Sequence, residues 1–565
     1  MHAQAPQPDQ SPDAIFVNGN VYTGAEEGFG GAPAKVYPRA QAFAVRNGRI
    51  IDVGSNDSIR RLKGPRTEVV DLAGHFVMPG LNDAHTHLGE AGLEKLSVDL
   101  VGVKSLAEMK QRIAEFAKTA APGEWLTGGG WDHTKWQEQK LPTKEDLDAV
   151  SGDHPAVFSR VDGHISVANS AALKEAGITA ETKDPFGGKI DRDAKGEPTG
   201  ILRESAKGLV NRHIPPPSPS KRRRAAEVAL ADAAHWGLTS LQDNSDWEFF
   251  LVYEDMENEG KLTARISEWL PFGAPVDELN THRAHHDHSD PMLHTGMLKG
   301  FMDGSLGSRT AAMLAPYSDD PGNSGLPQYT QEQLDQMATE RALAGFQMGF
   351  HAIGDRATQM ALQAFEAAEG AGFMQFSSRH APGSQEAVRA EYLRTTRFRI
   401  EHSQVTAPDQ FARYRQLGVI ASMQPNHLLT DMNWAESRIG AQRAAHSYAW
   451  NEFLKNHVWL AFGTDYPVEP ITPFRGLYAA VTRKNEAGTK EYFPEQKISI
   501  DQAIAAYTTG SAYAEFAEQD KGRLAPGFWA DFIVLDRDIT KVAPPEILKT
   551  TVLRTVVGGK TVYQK

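Results

Sequence analysis

The 565-residue sequence predicts an α/β fold in which a (β/α)8 barrel of the TIM type is combined with a small β-sandwich built from both chain ends. Three observations predict this fold. Both ends of the chain carry short β-patterned segments, the middle alternates apolar strands with amphipathic helices, and metal-ligand residues follow several of those strands. We expect residues 1–75 and 520–565 to form the sandwich and residues 76–519 to form the barrel.

The N-terminal part contains two predicted β-hairpins. Residues 14–22 and 41–53 each contain two short strands around an Asn-Gly pair. Asn-Gly favours a two-residue hairpin because both residues tolerate a positive φ. Residues 530–536 and 551–563 repeat the short β-pattern at the other end, so we expect both ends to contribute to one sandwich.

The polar, Pro-rich start of the chain predicts a disordered tail of about 12 residues. This segment resembles the beginning of an exported protein after signal-peptide cleavage. It therefore favours a periplasmic or secreted protein over a cytoplasmic one, with an ordinary cytosolic tail as the alternative.

The middle of the chain alternates between strand and helix patterns. Two capping boxes, one beginning at Ser105 and one at Thr330, indicate helix starts. Short apolar strands are indicated at residues 349–351, 398–402, 419–423 and 458–463. This alternation is typical of a parallel sheet or a barrel. The interval between His87 and Lys299 is longer than three βα units need, so we place an insertion at about residues 122–203.

Composition excludes several classes of function. A formal net charge of −13 leaves no basic excess to neutralise nucleic-acid phosphates, and the one basic run, residues 221–224, is expected to be a solvated helix face. Cysteine is absent, so a metal site must use histidine, carboxylate or a modified side chain. No apolar run approaches the roughly 18 residues of a membrane span. We expect a small-molecule substrate, no nucleic acid and no membrane, and a homodimer is compatible with the sequence.

The most informative short pattern is the pair His85 and His87 at the end of a predicted buried strand over residues 76–87. Residues i and i+2 of a strand point to one face, so both imidazoles aim at one point. Four further residues lie at predicted strand ends, where a barrel carries its active-site residues: Lys299, His351, His402 and Asp465. One such histidine is usually structural, but the set supplies enough nitrogen and oxygen donors for a divalent cation and a water.

The predicted insertion carries a dense group of aromatic, glycine and charged residues. Residues 128–133 and 160–164 are its richest parts, and such composition suits the wall or lid of a substrate pocket. We select Trp131 and His164 as candidate substrate-binding residues. An ordinary cluster of turns is the alternative interpretation of the same residues.

Several longer motifs occur together in one order along nearly the whole chain. They occupy residues 77–87, 162–164, 303–309, 351–355, 400–402, 463–465 and 522–531. On these motifs the sequence resembles the amidohydrolase superfamily, most closely its amidohydrolase-3 (YtcJ-like) family. The resemblance implies that His85, His87 and Asp465 bind one metal ion and that His351 and His402 bind a second.

The resemblance also implies a role for Lys299, which aligns with a lysine that carbon dioxide converts to a metal-bridging carbamate. The family contains two arrangements, two ions bridged by the carbamate and one ion beside an unmodified lysine. Zinc is the default for imidazole-rich ligation, and manganese, iron or cobalt would also fit the donors.

The expected function is hydrolysis of a C–N bond, other than a peptide bond, in an amide, N-acyl, N-formyl or carbamoyl compound by metal-activated water. N-substituted formamide deformylase is one activity named in this family. Asp465 is expected to act as base and then acid, with Arg309 or His164 orienting the substrate. The alternatives are an aminohydrolase (deaminase), an esterase or lactonase using the same site, and a metal-binding regulator without catalysis.

Overall fold

The computed structural model describes residues 11–161, 163–379 and 384–565, so most of the predicted tail lies outside the described residues. The chain divides into two compact units. The first contains the chain up to Leu88 and again from Leu230 to Lys565, and the second is Gly89–Ala229. Within the described ranges, no helix has the length and apolar character that a membrane crossing requires.

The first unit contains a (β/α)8 barrel, which confirms the predicted fold class. Among the described residues its parallel strands are, in chain order, Leu81–Thr86 (β1), Leu238–Asp243 (β2), Arg265–Pro271 (β3), Leu293–Phe301 (β4), Met348–Ala352 (β5), Arg399–His402 (β6), Ile420–Met423 (β7) and Leu460–Phe462 (β8). Each strand pairs with its neighbours in sequence. The first and last strands meet at their carboxyl ends, where Thr86 forms a parallel bridge with Tyr466.

Helices follow the strands as a barrel requires. They include Trp247–Asn258, Val276–His285, Gln331–Leu343, Asp355–Ser377, Gln385–Thr396, Gln410–Leu417, Pro425–Asp431, Ala435–Ala444, Trp450–Lys455, Pro473–Thr482 and Ile500–Ala505. The capping box predicted at Thr330 is present, because Thr330 and Gln333 exchange side-chain-to-backbone hydrogen bonds.

Two further sheets form the predicted sandwich. One contains Arg49–Gly54, Ala42–Arg46, Ala14–Val17 and Glu68–Asp71; the other contains Asn20–Val21, Phe76–Pro79, Phe532–Leu535, Val552–Val557 and Lys560–Gln564. Both chain ends therefore share a sheet. The rings of Phe16, Phe43 and Phe532 lie 4.9 Å apart and join the two sheets in one apolar core.

The two Asn-Gly pairs of the N-terminal part behave differently. Asn47 and Gly48 both have positive φ, 51° and 73°, and close the predicted hairpin. The hairpin predicted at residues 14–22 is wrong: Asn18 has φ 59°, but Gly19 is not in the left-handed region. The chain therefore passes from one sheet to the other at this point instead of folding back.

The single strand predicted over residues 76–87 is split in two at Gly80. Phe76–Pro79 belongs to the sandwich and β1 begins at Leu81. A Cβ on Gly80 would lie 2.2 Å from Thr239 Oγ1, so only glycine permits this close passage from sandwich to barrel.

The second unit is built on a mixed sheet. Its strands are, in sheet order, Val98–Asp99, Leu126–Trp131, Ala156–Arg160, Ile165–Ala168, Pro198–Glu204 and Gly188–Arg192. Helices Leu106–Ala117 and Lys144–Ser151 contribute Met109, Ile113 and Leu147 to its core. The predicted insertion at about residues 122–203 lies within this unit, which extends further in both directions.

Candidate metal centre

The six residues predicted as metal ligands lie together at the carboxyl ends of the barrel strands. His85 is in β1, Lys299 in β4 and His351 in β5, while His402 ends β6 and Asp465 follows β8. His85 Nε2 is 3.0 Å from Lys299 Nζ, and the ring of His402 lies 4.9 Å from that of His85 and 4.5 Å from that of His351. His87 joins them through Asp465 Oδ1, 3.2 Å from its Nε2.

Backbone turns at two strand ends aim the ligand side chains into this centre. His402 and Asp465 have φ of 70° and 60°, left-handed conformations that cost energy for residues with a Cβ and that often occur at functional sites. The backbone N–H of Asp465 donates to the His85 carbonyl at 2.8 Å. A Cβ on Gly463 would lie 2.6 Å from the backbone nitrogen of His85, so glycine is required for β8 to approach β1.

The spacing of donor atoms around Asp465 fits a bound cation. Asp465 Oδ1 is buried and accepts no hydrogen bond from the described residues, although His87 Nε2 is 3.2 Å away and His85 Nε2 is 3.5 Å away. Ligands about 2.1 Å from a tetrahedral ion are about 3.4 Å from one another. His85, His402 and Asp465 each offer a ligand atom within 4.8 Å of the other two. The residues present therefore fit a divalent metal ion.

Hydrogen bonds to the outer ring nitrogens orient the imidazoles. His85 Nδ1 donates to Glu401 Oε2 at 2.7 Å, and Arg399 Nε in turn donates to Glu401 Oε1 at 2.9 Å. His402 Nδ1 bonds to Gln424 Oε1 at 2.8 Å. Each ring is thereby left with its Nε2 lone pair for the centre, the usual arrangement of metal-binding histidines.

The electrostatic environment keeps these imidazoles neutral and therefore able to bind a cation. Burial, and then the charges of neighbouring groups, hold the pKa of His85 and of His402 well below the usual range. The pKa of His351 is lowered to about 4, mainly by burial. Burial alone would raise the pKa of Asp465, but the neighbouring imidazole of His85, the hydrogen bond from His427 and the nearby His87 ring hold it well below the ordinary value.

Lys299 differs from an ordinary lysine because it is buried among imidazoles. Burial lowers the pKa of its amine from 10.5 to about 8. The lowered pKa increases the uncharged fraction of the amine near neutral pH, and an uncharged amine is a nucleophile. Its Nζ lies 5.2 Å from the centre of the Trp269 ring, so that its surroundings on that side are apolar.

His427 is a site residue that the sequence predictions did not include. It lies in the helix Pro425–Asp431 that directly follows β7, and its Nε2 donates to Asp465 Oδ2 at 3.0 Å. The available signal was its position four residues after the predicted strand 419–423. Glu401 was also missed as an orienting residue, although it stands beside His402 in the motif 400–402.

A cavity of about 410 Å³ opens in front of the centre. Its lining combines ligand candidates with neutral and apolar side chains, including Phe301, Ser305, Leu306, Ile353, Gln404, Trp434 and Val468. This volume is within the range of small-molecule sites. The centre therefore faces a space in which an organic substrate could bind.

Two of the three residues predicted to bind substrate, Trp131 and His164, belong to the second unit. Trp131 is fully buried in the second unit, where its Nε1 donates to the Phe158 carbonyl at 3.0 Å. His164 is largely exposed there and lies 3.0 Å from Glu204 Oε1, while Asp162 of the same motif is outside the described residues. Arg309 forms an ion pair with Asp319 at 2.8 Å and does not line the 410 Å³ cavity. Their substrate contacts stay predictions.

Comparison with known proteins identifies relatives over nearly the whole chain. Residues 68–563 match the model of the amidohydrolase family, Amidohydro_3. The chain is 33% identical to the protein LONG AFTER FAR-RED 3 of Arabidopsis thaliana, covering 98% of this chain and 91% of the relative. It is 31% identical to the putative amidohydrolase YtcJ of Bacillus subtilis, covering 98% and 99%.

Two further similarities concern a named enzyme and a solved structure. The chain is 27% identical to the N-substituted formamide deformylase of Arthrobacter pascens, over 93% of this chain and 95% of the enzyme. An uncharacterized metal-dependent hydrolase from Pyrococcus furiosus superposes with a TM-score of 0.76 at 29% identity, covering 94% of this chain and all of that one. With a matching family model and this barrel, the chain belongs to the amidohydrolase family.

Proposed function

We propose that this protein is a metal-dependent hydrolase that cleaves the C–N bond of a small amide-like molecule, such as an N-acyl, N-formyl or carbamoyl compound. The observation that carries the proposal is the convergence of four imidazoles, a buried lysine and Asp465 Oδ1 beside a substrate-sized cavity. The names of the Arthrobacter and Pyrococcus relatives support the reaction class.

The proposed resident ion is Zn²⁺, because neutral imidazoles and a carboxylate are its preferred ligands where thiolates are absent. His85, His87 and Asp465 would hold one ion, and His351 and His402 a second. A divalent cation bound there activates water and polarises a carbonyl group. In the two-ion arrangement the Lys299 amine would add to carbon dioxide and lose one proton, and the resulting carbamate would supply anionic oxygen ligands.

Asp465 is the proposed proton carrier. Its carboxylate faces the cavity and is ionised, so it can accept the proton of an attacking water and return it to the leaving nitrogen. His427 donates to Oδ2 and thereby leaves Oδ1 directed at the imidazoles. Glu401 accepts the hydrogen bond from His85 Nδ1 and thereby fixes the orientation of the His85 ring.

The cavity also supports an uncharged organic substrate. Phe301 and Trp434 supply aromatic surface, and Val468 is 65% exposed in the same lining. Apolar side chains of this kind contact the substituent of an amide, while Ser305 and Gln404 can hydrogen-bond to its polar atoms. These features favour an N-substituted amide with an apolar or aromatic group.

The experiment is a hydrolysis screen of the zinc-loaded protein against matched substrates. N-formyl, N-acetyl and carbamoyl derivatives of one aromatic amine would be compared with the corresponding ester and lactone, with products identified by mass. We expect release of the free amine and loss of that activity on metal removal. Hydrolysis of the ester or lactone without any amide turnover would refute amide cleavage and favour the esterase alternative.

A further inference from the structure

A second group of metal-ligand side chains lies on the outside of the barrel, at the opposite ends of the strands from the catalytic centre. Glu257 is in the last turn of the helix Trp247–Asn258, and His286 and Asp290 are in the loop that leads into β4. Each offers a ligand atom within 4.8 Å of the other two. We call these three residues the outer cluster.

The Nε2 atom of His286 points into this cluster. Its Nε2 is buried and makes no hydrogen bond to any described residue, yet it lies 3.6 Å from Glu257 Oε2 and 3.5 Å from Asp290 Oδ2. These distances are too long for hydrogen bonds but close to the separation of about 3.4 Å between two ligands of one tetrahedral ion.

The surrounding contacts fix His286 and Asp290 in orientations suited to binding. His286 Nδ1 donates to Glu254 Oε1 at 2.8 Å, which leaves the Nε2 lone pair for the cluster. Asp290 Oδ1 accepts the backbone N–H of Met292 at 2.7 Å, which leaves Oδ2 free. Phe250 packs against the edge of the His286 ring at 5.8 Å.

The charges of this region also favour a bound cation. The helix Trp247–Asn258 has no basic residue in its last turn, where its own dipole favours positive charge, and Glu254 and Glu257 stand there instead. Asp290 adds a third carboxylate. Burial alone would lower the pKa of His286, but Glu254, Glu257 and Asp290 raise it, so these carboxylates attract positive charge.

From this geometry we propose that Glu257, His286 and Asp290 form a second divalent-cation site, with Zn²⁺ as the preferred ion and water completing its coordination. The side chains are 16% to 27% exposed, so solvent can reach the ion. One nitrogen and two carboxylate oxygens are suitable zinc ligands. The ion would join the end of one barrel helix to the loop that begins β4, the strand that carries Lys299.

Zinc titration of the chelator-treated full-length protein tests this site. We expect wild type to bind one more Zn²⁺ per chain than His286→Gln, and Glu257→Gln to weaken binding of that ion at least 10-fold. The control is His288→Ala, which alters the same loop outside the cluster and should keep the full zinc content. Each variant's circular dichroism spectrum establishes that it is folded.

The outcome does not depend on the proposed catalysis. Asp465→Asn alters the catalytic centre and should still bind the ion of the outer cluster, while His286→Gln should retain hydrolytic activity. Equal zinc content in wild type, His286→Gln and Glu257→Gln would overturn the proposal and leave an ion-pair network only.

Discussion

The candidate metal centre at the barrel rim and the outer cluster place an imidazole next to carboxylates at nearly the same distances, 3.2 to 3.5 Å in the first and 3.5 to 3.6 Å in the second. They differ in burial and in origin. The side chain of His85 is fully buried and that of Asp465 is 8% exposed, whereas those of Glu257 and Asp290 are 21% and 27% exposed. Similar ligand spacing therefore occurs both in a buried group of side chains and in a partly exposed one.

The origin of the ligands explains the difference. The catalytic centre collects residues from strands separated by several hundred positions, so it exists only when the whole barrel is closed. The outer cluster takes its residues from two segments that lie within 34 positions, Glu257 to Asp290. We therefore expect changes at the first to abolish chemistry and changes at the second to alter only metal content.

The largest expected effect is that of Asp465→Asn. An amide cannot accept the proton that the carboxylate takes up, so turnover of the best substrate should fall by about 10²- to 10⁴-fold. The thermal midpoint should change little, because side-chain volume is retained. Asp536→Asn, an acid-to-amide change in the sandwich, is the matched control and should keep full activity. An Asp465→Asn protein with unchanged kcat would remove Asp465 from the proposed mechanism.

A smaller effect is expected at the carboxylate behind His85. Glu401→Gln replaces the anionic acceptor of the Nδ1 proton, so metal affinity should fall by about 10- to 100-fold. Competition with a chromogenic chelator measures the change. Glu518→Gln, which alters the Glu518–Arg397 ion pair away from the centre, should leave affinity at the wild-type value. If both variants bind metal equally well, Glu401 has no role in orienting His85 for the ion.

The smallest effect concerns a buried carboxylate, Glu369, that belongs to no group of metal-ligand side chains among the described residues. Glu369, like Asp465, has a carboxylate oxygen without a hydrogen-bond partner among the described residues, but burial raises its pKa from 4.5 to about 8. Between those values the folded state binds more protons at Glu369 than the unfolded state does, so the group lowers stability as pH rises from 4.5 to 8. An unpartnered oxygen alone therefore does not make a cation site.

Glu369→Gln should accordingly raise the thermal midpoint relative to wild type more at pH 8 than at pH 5. Paired melts at the two pH values measure the difference. An equal shift at both pH values would show that the Glu369 carboxyl has an ordinary pKa.

Most of the candidate metal centre was predictable because its residues follow strands whose apolar pattern is local. His85, His351 and His402 lie directly at strand ends, and the carboxyl ends of parallel barrel strands meet at one rim. His427 was not predictable in this way, because it lies in a helix and reaches Asp465 only through the fold of the β7 loop.

The fold likewise combines features that neighbouring residues determine with features that distant residues determine. The Asn-Gly turn at Asn47 was predictable because its strands are adjacent, but the crossing at Gly19 depends on a partner strand, Phe76–Pro79, more than 50 residues away. The outer cluster also escaped prediction. Its histidine and acids occupy a helix end and a loop, where no periodic pattern indicates which side chains face one another.

The central claim is that distant residues meet around a divalent cation at the barrel rim. Anomalous X-ray diffraction at the zinc edge, from crystals of the zinc-loaded protein, tests it most directly. We predict a peak within about 2.2 Å of Asp465 Oδ1 and of the His85 and His87 nitrogens, with a second peak beside His351 and His402 in the two-ion arrangement. Crystals of fully zinc-loaded protein with no peak among these five residues would contradict this arrangement.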